Sequence, residues 1–379
     1  MPTLGILGGG QLARMTAYAA FRLGLRVHIL ERTAGSPAGQ IAHKDVVGTP
    51  ADHDILIEFA RECDVITLES EFVNEEHLAV AEHAGHVILP RPQSVGLIQD
   101  KLTQKETVRR VGVATAAFSG VESPADARDF GHQHGYPFVL KTRRNGYDGY
   151  GNATIGAEDV IELEWERITG GNRERTLYAE SFVPFDKELA VMVARGRSGE
   201  MATYPVAQTI QQNHICHYVL APAGVDESVA ARARAIAQRA VESIDGIGVF
   251  GVELFLCPDN SVLFNEVAPR PHNSGHYTIE GCVTSQFENH IRAILGWPLG
   301  STELRAPSVV MANILGRGDA SGTVANYPEV LASPTAHIHI YGKAHERKGR
   351  KMGHVTVLAS SLDEAFRIAQ ETEGHVMFR

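Results

Sequence analysis

The chain has 379 residues, 44% apolar and 21% charged, with a formal charge of −10. This is the make-up of an ordinary globular protein of two or three domains, and its acidic balance argues against a general nucleic-acid binder. No apolar run reaches membrane-spanning length, no basic leader with a cleavage site opens the chain, and Cys63, Cys216, Cys257 and Cys282 lie far apart without a C-x-x-C, which suits a reducing, cytoplasmic setting.

Residues 3–8 read as a strand, 11–23 as a helix with apolar positions at helical spacing, and 25–30 as a second strand. Apolar runs at 64–68 and 86–89, with helical stretches at 53–62 and 74–84, continue a βαβαβ alternation. That alternation predicts a parallel sheet with helices on its faces. The first strand ends in three glycines. Gly8, Gly10 and Ala13 match the dinucleotide pattern G-x-G-x-x-G/A, and Glu31 follows about twenty residues on, where an acid would hold a ribose. A plain glycine-rich turn accounts for the same residues, so this stretch leaves both readings open. "LPRPQS" (89–94) breaks the pattern and marks a boundary.

A helix near 100–111 opens a second region. In "YPFVLKTRR" (136–144) a buried strand carries Lys141, a costly charge there unless it is paired. A phosphate and a structural salt bridge answer that need equally well. "NGYDGYGN" (145–152) follows, with glycines at 146, 149 and 151. Such a loop folds N–H groups over phosphates or makes a plain hairpin turn, and it is no Walker A loop. Strands are predicted at 177–183, 187–195 and 200–206. "YAESFVPFDKELAV" (178–191) places Glu180 and Glu188 in apolar strands. There the backbone can read a purine while one carboxylate takes its exocyclic amine and another bridges ribose hydroxyls. Solvated edge-strand glutamates give the same pattern.

A long helix at 226–245 leads to strands at 249–256 and 262–268, the most informative pair. Asp259-Asn260 reads as a two-residue turn. Centred there, the hairpin pairs Phe255 with Phe264, Leu256 with Leu263, Val252 with Val267 and Glu253 with Glu266. Like charges opposed on one face are destabilising, so either one carboxyl is protonated or a cation lies between them. Carboxylate oxygens beside phosphates suit magnesium. Two solvated glutamates are the bland alternative, which the apolar flanks disfavour.

The third region holds strands at 308–315, 336–341 and 354–358 and a helix at 362–371. "KAHERKGRKMGH" (343–354) gathers Lys343, Arg347, Lys348, Arg350 and Lys351. This is a solvated basic loop or a site for a phosphate monoester. In "PRPHNSGH" (269–276) His272 and His276 stand four apart, but Pro271 and Gly275 oppose a helix and with it a zinc pair. His214 and His217 fit no ligand pattern.

Together these features resemble the ATP-grasp superfamily over the whole chain, and within it the carboxyaminoimidazole ribonucleotide synthases. The likeness rests on "GGGQLARM" (8–15), "DKLTQK" (100–105), "YDGYGN" (147–152), "NEVAPRPHNSGHYTIEGCVTSQFE" (265–288) and "GRKMGHV" (349–355). It implies an α/β and α+β architecture, the ATP-grasp fold. A Rossmann-like domain would span 1–98, an ATP-grasp domain 99–307 with its lid at about 115–182, and a small C-terminal domain 308–379.

The resemblance implies that ATP is held by Lys101, Lys141, the loop of Gly146, Tyr147, Asp148, Gly149, Tyr150, Gly151 and Asn152, the hinge of Glu180, Ser181, Phe182 and Val183, and by Glu188, Gln211, Asn265 and Glu266. Magnesium would sit on Glu253 and Glu266. Aminoimidazole ribonucleotide would meet Gln11, Leu12, Glu71, Tyr147, Arg270, His272, Lys343, Arg350 and Lys351, with Arg350 and Lys351 on its 5-phosphate. Asp148, Arg270, His272 and Lys351 would form the catalytic set. The implied reaction phosphorylates bicarbonate with ATP and carboxylates the ribonucleotide's amine, whose proton passes to Asp148. A homodimer is expected.

The chain departs from its relatives at Tyr150, where Arg or Lys is usual, at Gln211, where bacterial members have histidine, and at Ala268, where many ATP-grasp enzymes have asparagine. The nearest rival is a formate-dependent glycinamide ribonucleotide transformylase, against which "HNSGHYTIEGCVTSQFE" speaks. A nicotinamide oxidoreductase leaves Lys141, Glu253 and Glu266 unexplained. A non-catalytic nucleotide-binding protein is the third reading. On the ATP-grasp reading the glycine turn is left for the ribonucleotide, and Glu31 becomes an ordinary strand-end acid.

Overall fold

The structure is a computed structural model that describes residues 1–146, 151–172 and 175–379. The first element group is a parallel sheet in the order Lys44–Val47, Arg26–Glu31, Thr3–Leu7, Val65–Leu68. The edge strand Lys44–Val47 is not legible in the sequence, being short and exposed with two charges in four residues. The expected strand at 86–89 reduces to one parallel bridge between Ile66 and Ile88. Pro90 follows and has no N–H with which to prolong the ladder. The helix Gln11–Arg22 buries Leu12, Ala13, Met15 and Ala17. The same core takes Phe287, Ile291 and Ile294 from the helix Gln286–Leu295, so the first region is packed onto the second.

A small antiparallel sheet runs in the order Phe118–Val121, Leu177–Ser181, Phe138–Thr142, Asn152–Ile155. The helices Pro124–His134 and Ile161–Thr169 cover one face through Phe130, Phe138, Leu140, Ile155, Ile161 and Ile168. Directly opposed residues of antiparallel strands share a face. The pairs Val139–Glu180 and Lys141–Tyr178 therefore occupy the other face.

Among the described residues the large sheet has nine strands. Its main path is Val262–Ala268, Gly248–Leu256, Lys187–Arg195, Ala207–Gln212, Ile215–Ala221, Ser308–Leu315, Lys351–Ala359, Ala336–Ile340, and Met201–Thr203 joins the side of Lys187–Arg195. Leu189, Val191 and Val193 pack toward the helix Glu227–Ser243, while Ala190 and Met192 pack on the other face with Tyr204 and Tyr277. The hairpin Ala207–Gln212 and Ile215–Ala221 is an addition to the expected elements. Its turn is Asn213-His214, both residues with positive φ (51° and 63°), the conformation of a two-residue hairpin loop. The third region's strands join this same sheet, Val219 pairing with Met311.

Candidate active site

The Glu253–Glu266 hairpin differs from expectation at its tip. Cys257 N–H donates to Ser261 O and Asn260 N–H to Cys257 O, both at 2.9 Å. The loop is thus Pro258, Asp259 and Asn260, with Asn260 at φ 63°. This three-residue loop shifts the outer register by one, so Leu254 pairs with Phe264, Phe255 with Leu263 and Leu256 with Val262. A bulge at Asn265 takes up the extra residue and restores Glu253 opposite Glu266 and Val252 opposite Val267. It also leaves the consecutive Asn265 and Glu266 both lining the cleft.

The two carboxylates are not equivalent. Lys101 Nζ lies 2.7 Å from Glu266 Oε2. Although burial opposes its ionisation, Glu266 is held down to about 2 by the Lys101 charge and hydrogen bond. Burial, then the charges of Glu266 and Glu188, push Glu253 up to about 8. The His272 ring nitrogen Nε2 is 3.7 Å from Glu253 Oε1.

Lys101 opens the helix Lys101–Arg110, capped by Asp100, whose Oδ1 accepts from Leu102 N and Thr103 N at 3.1 Å. Arg143 fixes that cap through a 2.6 Å contact to Asp100 Oδ2. One turn on, Lys105 forms a buried ion pair with Glu180. The other oxygen of Glu180 is 2.6 Å from Lys141 Nζ. Against the penalty of burial, these two lysines hold Glu180 down to about 2. Lys141 therefore has the structural partner that was one of its two readings, and it also lines the cleft. Glu180 corrects an expectation: both its oxygens face ammonium groups, so its side chain is not poised for a purine amine. Sequence reasoning missed Lys105, although it stands in "DKLTQK" four residues after Lys101, on the same helix face.

Between the sheets lies a cavity of about 440 Å³ lined by Glu71, Lys101, Lys141, Gly146, Asn152, Glu188, Gln211, Glu253, Asn265, Glu266, Arg270, His272 and Lys351. A second lobe of about 400 Å³ shares Lys141 and Asn152 and adds Glu180, Ser181, Phe182, Val183 and Phe255. Phe185 lines both lobes and stacks on Phe255 at 4.8 Å between ring centres. His214, which fitted no pattern, also lines both, carried there by its tight turn. Burial raises Glu188 despite hydrogen bonds from Gln211 and Thr209. Tyr147, Asp148, Gly149 and Tyr150 of the glycine loop lie outside the described residues. Gly151, at φ 80°, packs where a Cβ would sit 2.5 Å from Thr142 Oγ1.

The opposite wall carries the acceptor-side candidates. Arg270 grips Glu71 with both ends of its guanidinium, Nε to Oε2 at 2.5 Å and Nη2 to Oε1 at 2.9 Å. Gln286 holds the His272 backbone from both sides, accepting from its N–H at 2.9 Å and donating to its carbonyl at 2.8 Å. Burial, with Arg270 and Lys351 nearby, holds the His272 imidazole down to about 3, so it is neutral. Lys343 reaches back to the Lys351 carbonyl at 2.6 Å, and burial with Arg350 nearby lowers it to about 8. Arg350 donates to His345 O at 2.9 Å. Of the basic run, only Lys351 lines either lobe; Lys343 and Arg350 stand outside both. Gln11 and Leu12 also lie outside these lobes, and the Leu12 side chain belongs to the hydrophobic core. His276 is fully buried against Gln286, and no cluster of three or more His, Cys, Asp or Glu suited to a metal occurs among the described residues.

Glu31 is more than a strand-end acid. Its Oε2 accepts the Gly9 N–H at 2.8 Å. Glu69 fills the adjacent space, since a Cβ on Gly10 would stand 2.3 Å from Glu69 Oε1. Protein carboxylates thus occupy the turn where a pyrophosphate would need free amides.

Comparison with known proteins finds a family match in each of the three regions. Residues 1–99 match the ribonucleotide synthetase preATP-grasp domain, 106–287 the ATP-grasp domain, and 309–367 the phosphoribosylaminoimidazole carboxylase C-terminal domain. The phosphoribosylaminoimidazole carboxylase of Ogataea methanolica is 43% identical over 98% of this chain, which spans about two thirds (69%) of that protein. The N5-carboxyaminoimidazole ribonucleotide synthase of Synechococcus elongatus is 41% identical over 97% of this chain and 92% of its own. Among solved structures, the Aspergillus clavatus N5-carboxyaminoimidazole synthase in complex with ADP and 5-aminoimidazole ribonucleotide superposes with a TM-score of 0.88 at 38% identity, covering 98% of this chain and 97% of that one.

Proposed function

The chain belongs to the N5-carboxyaminoimidazole ribonucleotide synthases of the ATP-grasp superfamily, and from that premise we propose that it carboxylates the 5-amino group of 5-aminoimidazole ribonucleotide in purine biosynthesis, using ATP and bicarbonate and releasing ADP and phosphate. One observation carries the reading. The opposed pair Glu253 and Glu266, with Lys101 and Lys141, shares a single cavity with Arg270, His272 and Lys351. Nucleotide-side and acceptor-side charges thus line one space.

ATP would lie between the sheets, its base in the lobe of Ser181, Phe182 and Val183 and its phosphates toward Lys101 and Lys141. Two carboxylates opening on a polyphosphate site are a donor set that fits magnesium, so Glu253 and Glu266 would hold it. Bound there, it supplies neutralising charge to phosphoryl oxygens. Lys141 and Lys101 stabilise the transferring phosphoryl group as a bicarbonate oxygen attacks the γ-phosphorus and ADP leaves. The ribonucleotide's amine then attacks the carbon of carboxyphosphate, or of carbon dioxide released from it, phosphate departs, and the amine's proton passes to a base. Asp148 is the base proposed. Arg270, fixed by Glu71, and the neutral His272 orient the bicarbonate-derived group and the amine. Lys351 faces the substrate phosphate, with Lys343 and Arg350 behind it. Bicarbonate, a homodimer and a cytoplasmic location follow from the family resemblance. No helix among the described residues is long and apolar enough to cross a membrane.

The test incubates purified protein with magnesium-ATP, bicarbonate and aminoimidazole ribonucleotide and follows ADP. Release of ADP that depends on the ribonucleotide is expected. Release indifferent to it sinks the proposal, and a requirement for formate and glycinamide ribonucleotide selects the rival transformylase. The carboxylase-type domain matched over 309–367 does not favour that rival.

A further inference from the structure

We infer that Lys105 is a positioning residue for Lys141: it supplies Glu180 with a second counter-charge, which leaves the Lys141 ammonium to the nucleotide's phosphates. The inference rests on the reading of Lys141 as a phosphate ligand.

The Glu180 carboxylate, 3% exposed, is held between two ammonium groups, Lys105 on one oxygen and Lys141 on the other. The two lysines differ in access. Lys141 keeps 16% of its side chain exposed and lines both lobes of the cleft. Lys105 is 2% exposed and lines neither, its ammonium lying 5.8 Å from the centre of the Phe264 ring. Buried and off the cleft wall, it reaches the site through its ion pair with Glu180.

A buried carboxylate stripped of its only positive partner is strongly destabilised. With Lys105 present, the three groups carry one net positive charge, and Lys141 can turn to a phosphate without stranding Glu180. Without Lys105 the group is neutral, and an incoming polyphosphate competes with a buried carboxylate for the one ammonium left. Lys101, a turn earlier on the same helix face, stands against Glu266 in the same way. One helix therefore provides the counter-charge for a glutamate on each of the two sheets.

ATP affinity, measured by equilibrium titration, tests this with Lys105→Met, Lys141→Met, Glu180→Gln and the double variant Lys105→Met/Glu180→Gln. Lys105→Met should weaken ATP binding about tenfold, the lower end of the loss when a group that orients a direct ligand is removed. The double variant should recover most of that loss, because a neutral amide in place of the Glu180 carboxylate no longer claims Lys141. A purely structural role for Lys105 gives no such recovery. Lys105→Gln, which keeps a hydrogen bond to Glu180 without the charge, repeats the measurement should the methionine variant fail to fold. If Lys141→Met binds ATP as tightly as the parent, the phosphate-ligand reading fails and this inference with it. If Lys141→Met weakens ATP but Lys105→Met and Lys105→Gln do not, or the double variant stays as weak as the single, the inference alone is overturned.

Discussion

Arg270 and Glu71 meet in a two-pronged ion pair that ties the loop after the parallel sheet to the segment following the Glu253–Glu266 hairpin. Both side chains are mostly withdrawn from solvent, at 16% and 23% exposure. Glu71→Ala strips the guanidinium of its two-pronged partner, leaving it the more distant charges of Glu69 and Glu266, and should cost about 3 kcal/mol of unfolding free energy. It should also raise KM for the ribonucleotide more than KM for ATP. Denaturant titration and steady-state kinetics check the two parts, and an unchanged KM for the ribonucleotide removes the pair from the acceptor site.

Glu266→Gln should lower turnover by roughly 10³, the scale of losing a group that stabilises charge in the transition state. Magnesium binding should also be proton-linked. Glu253 sits near 8 without the metal, because burial and Glu266 raise it. A cation entering between the two must displace that proton, so its apparent affinity should climb up to about tenfold per pH unit below 8 and then level off. Calorimetric titrations in buffers of different ionisation enthalpy read the proton release directly. Affinity that does not vary with pH places the ion elsewhere.

Acid should destabilise the fold at pH values above the ordinary carboxylate range. His290 accepts the Val249 N–H on Nδ1 at 3.0 Å, so its proton sits on Nε2, 2.8 Å from Thr67 Oγ1. Burial holds His290 down to about 3, and His276 and His354, also buried, are held well below their ordinary value. Unfolding returns each to about 6.5. Below that pH the unfolded chain binds protons the native state refuses, so stability falls as pH drops. From pH 7.5 to 5.5 these three and His272, also held down to about 3, should remove about 5 kcal/mol, while Glu253, up at about 8, takes on its proton in the folded state and returns about 2.5, a net loss of about 3 kcal/mol. Glu180 and Glu266, held down to about 2, add losses of the same sign only below the ordinary glutamate value of 4.5. Denaturant unfolding at the two pH values measures the difference, and equal stabilities contradict neutral burial of these rings.

Gly251 stands directly behind His272, where an added Cβ would meet His272 Cβ at 2.4 Å. That atom lies at the root of the side chain and cannot swing aside. Gly251→Ala should therefore displace the imidazole, lower kcat/KM for the ribonucleotide about a hundredfold, and leave ATP affinity within about twofold. Fluorescence titration of ATP beside initial-rate kinetics separates the two effects.

The sequence carried the opposed glutamate pair and hid much of what surrounds it. Glu253 and Glu266 are legible because a hairpin is local and its apolar alternation fixes the face. The facing pair came out right although the loop has three residues, since the bulge at Asn265 offsets the slip. The bulge itself has no sequence signal of its own. Lys105 was invisible in its role because its partner lies on another sheet. His214 reaches the cleft through a tight turn lacking the usual glycine. Glu31 shows the limit from the other side: the residue a dinucleotide motif requires is present, but its carboxylate closes the turn rather than opening it to a ribose.

The nine-stranded sheet runs without a break from the Glu253 hairpin through Ile215–Ala221 into Ser308–Leu315 and beyond. A chain stopped before 308 would strip the partner from Ile215–Ala221 and expose a row of unpaired amides and carbonyls to other copies, a setting for aggregation. The regions on either side of that seam are consequently poor candidates for separate inheritance or for swapping with other ligases. Any recombination there must carry a replacement edge strand along with the new specificity.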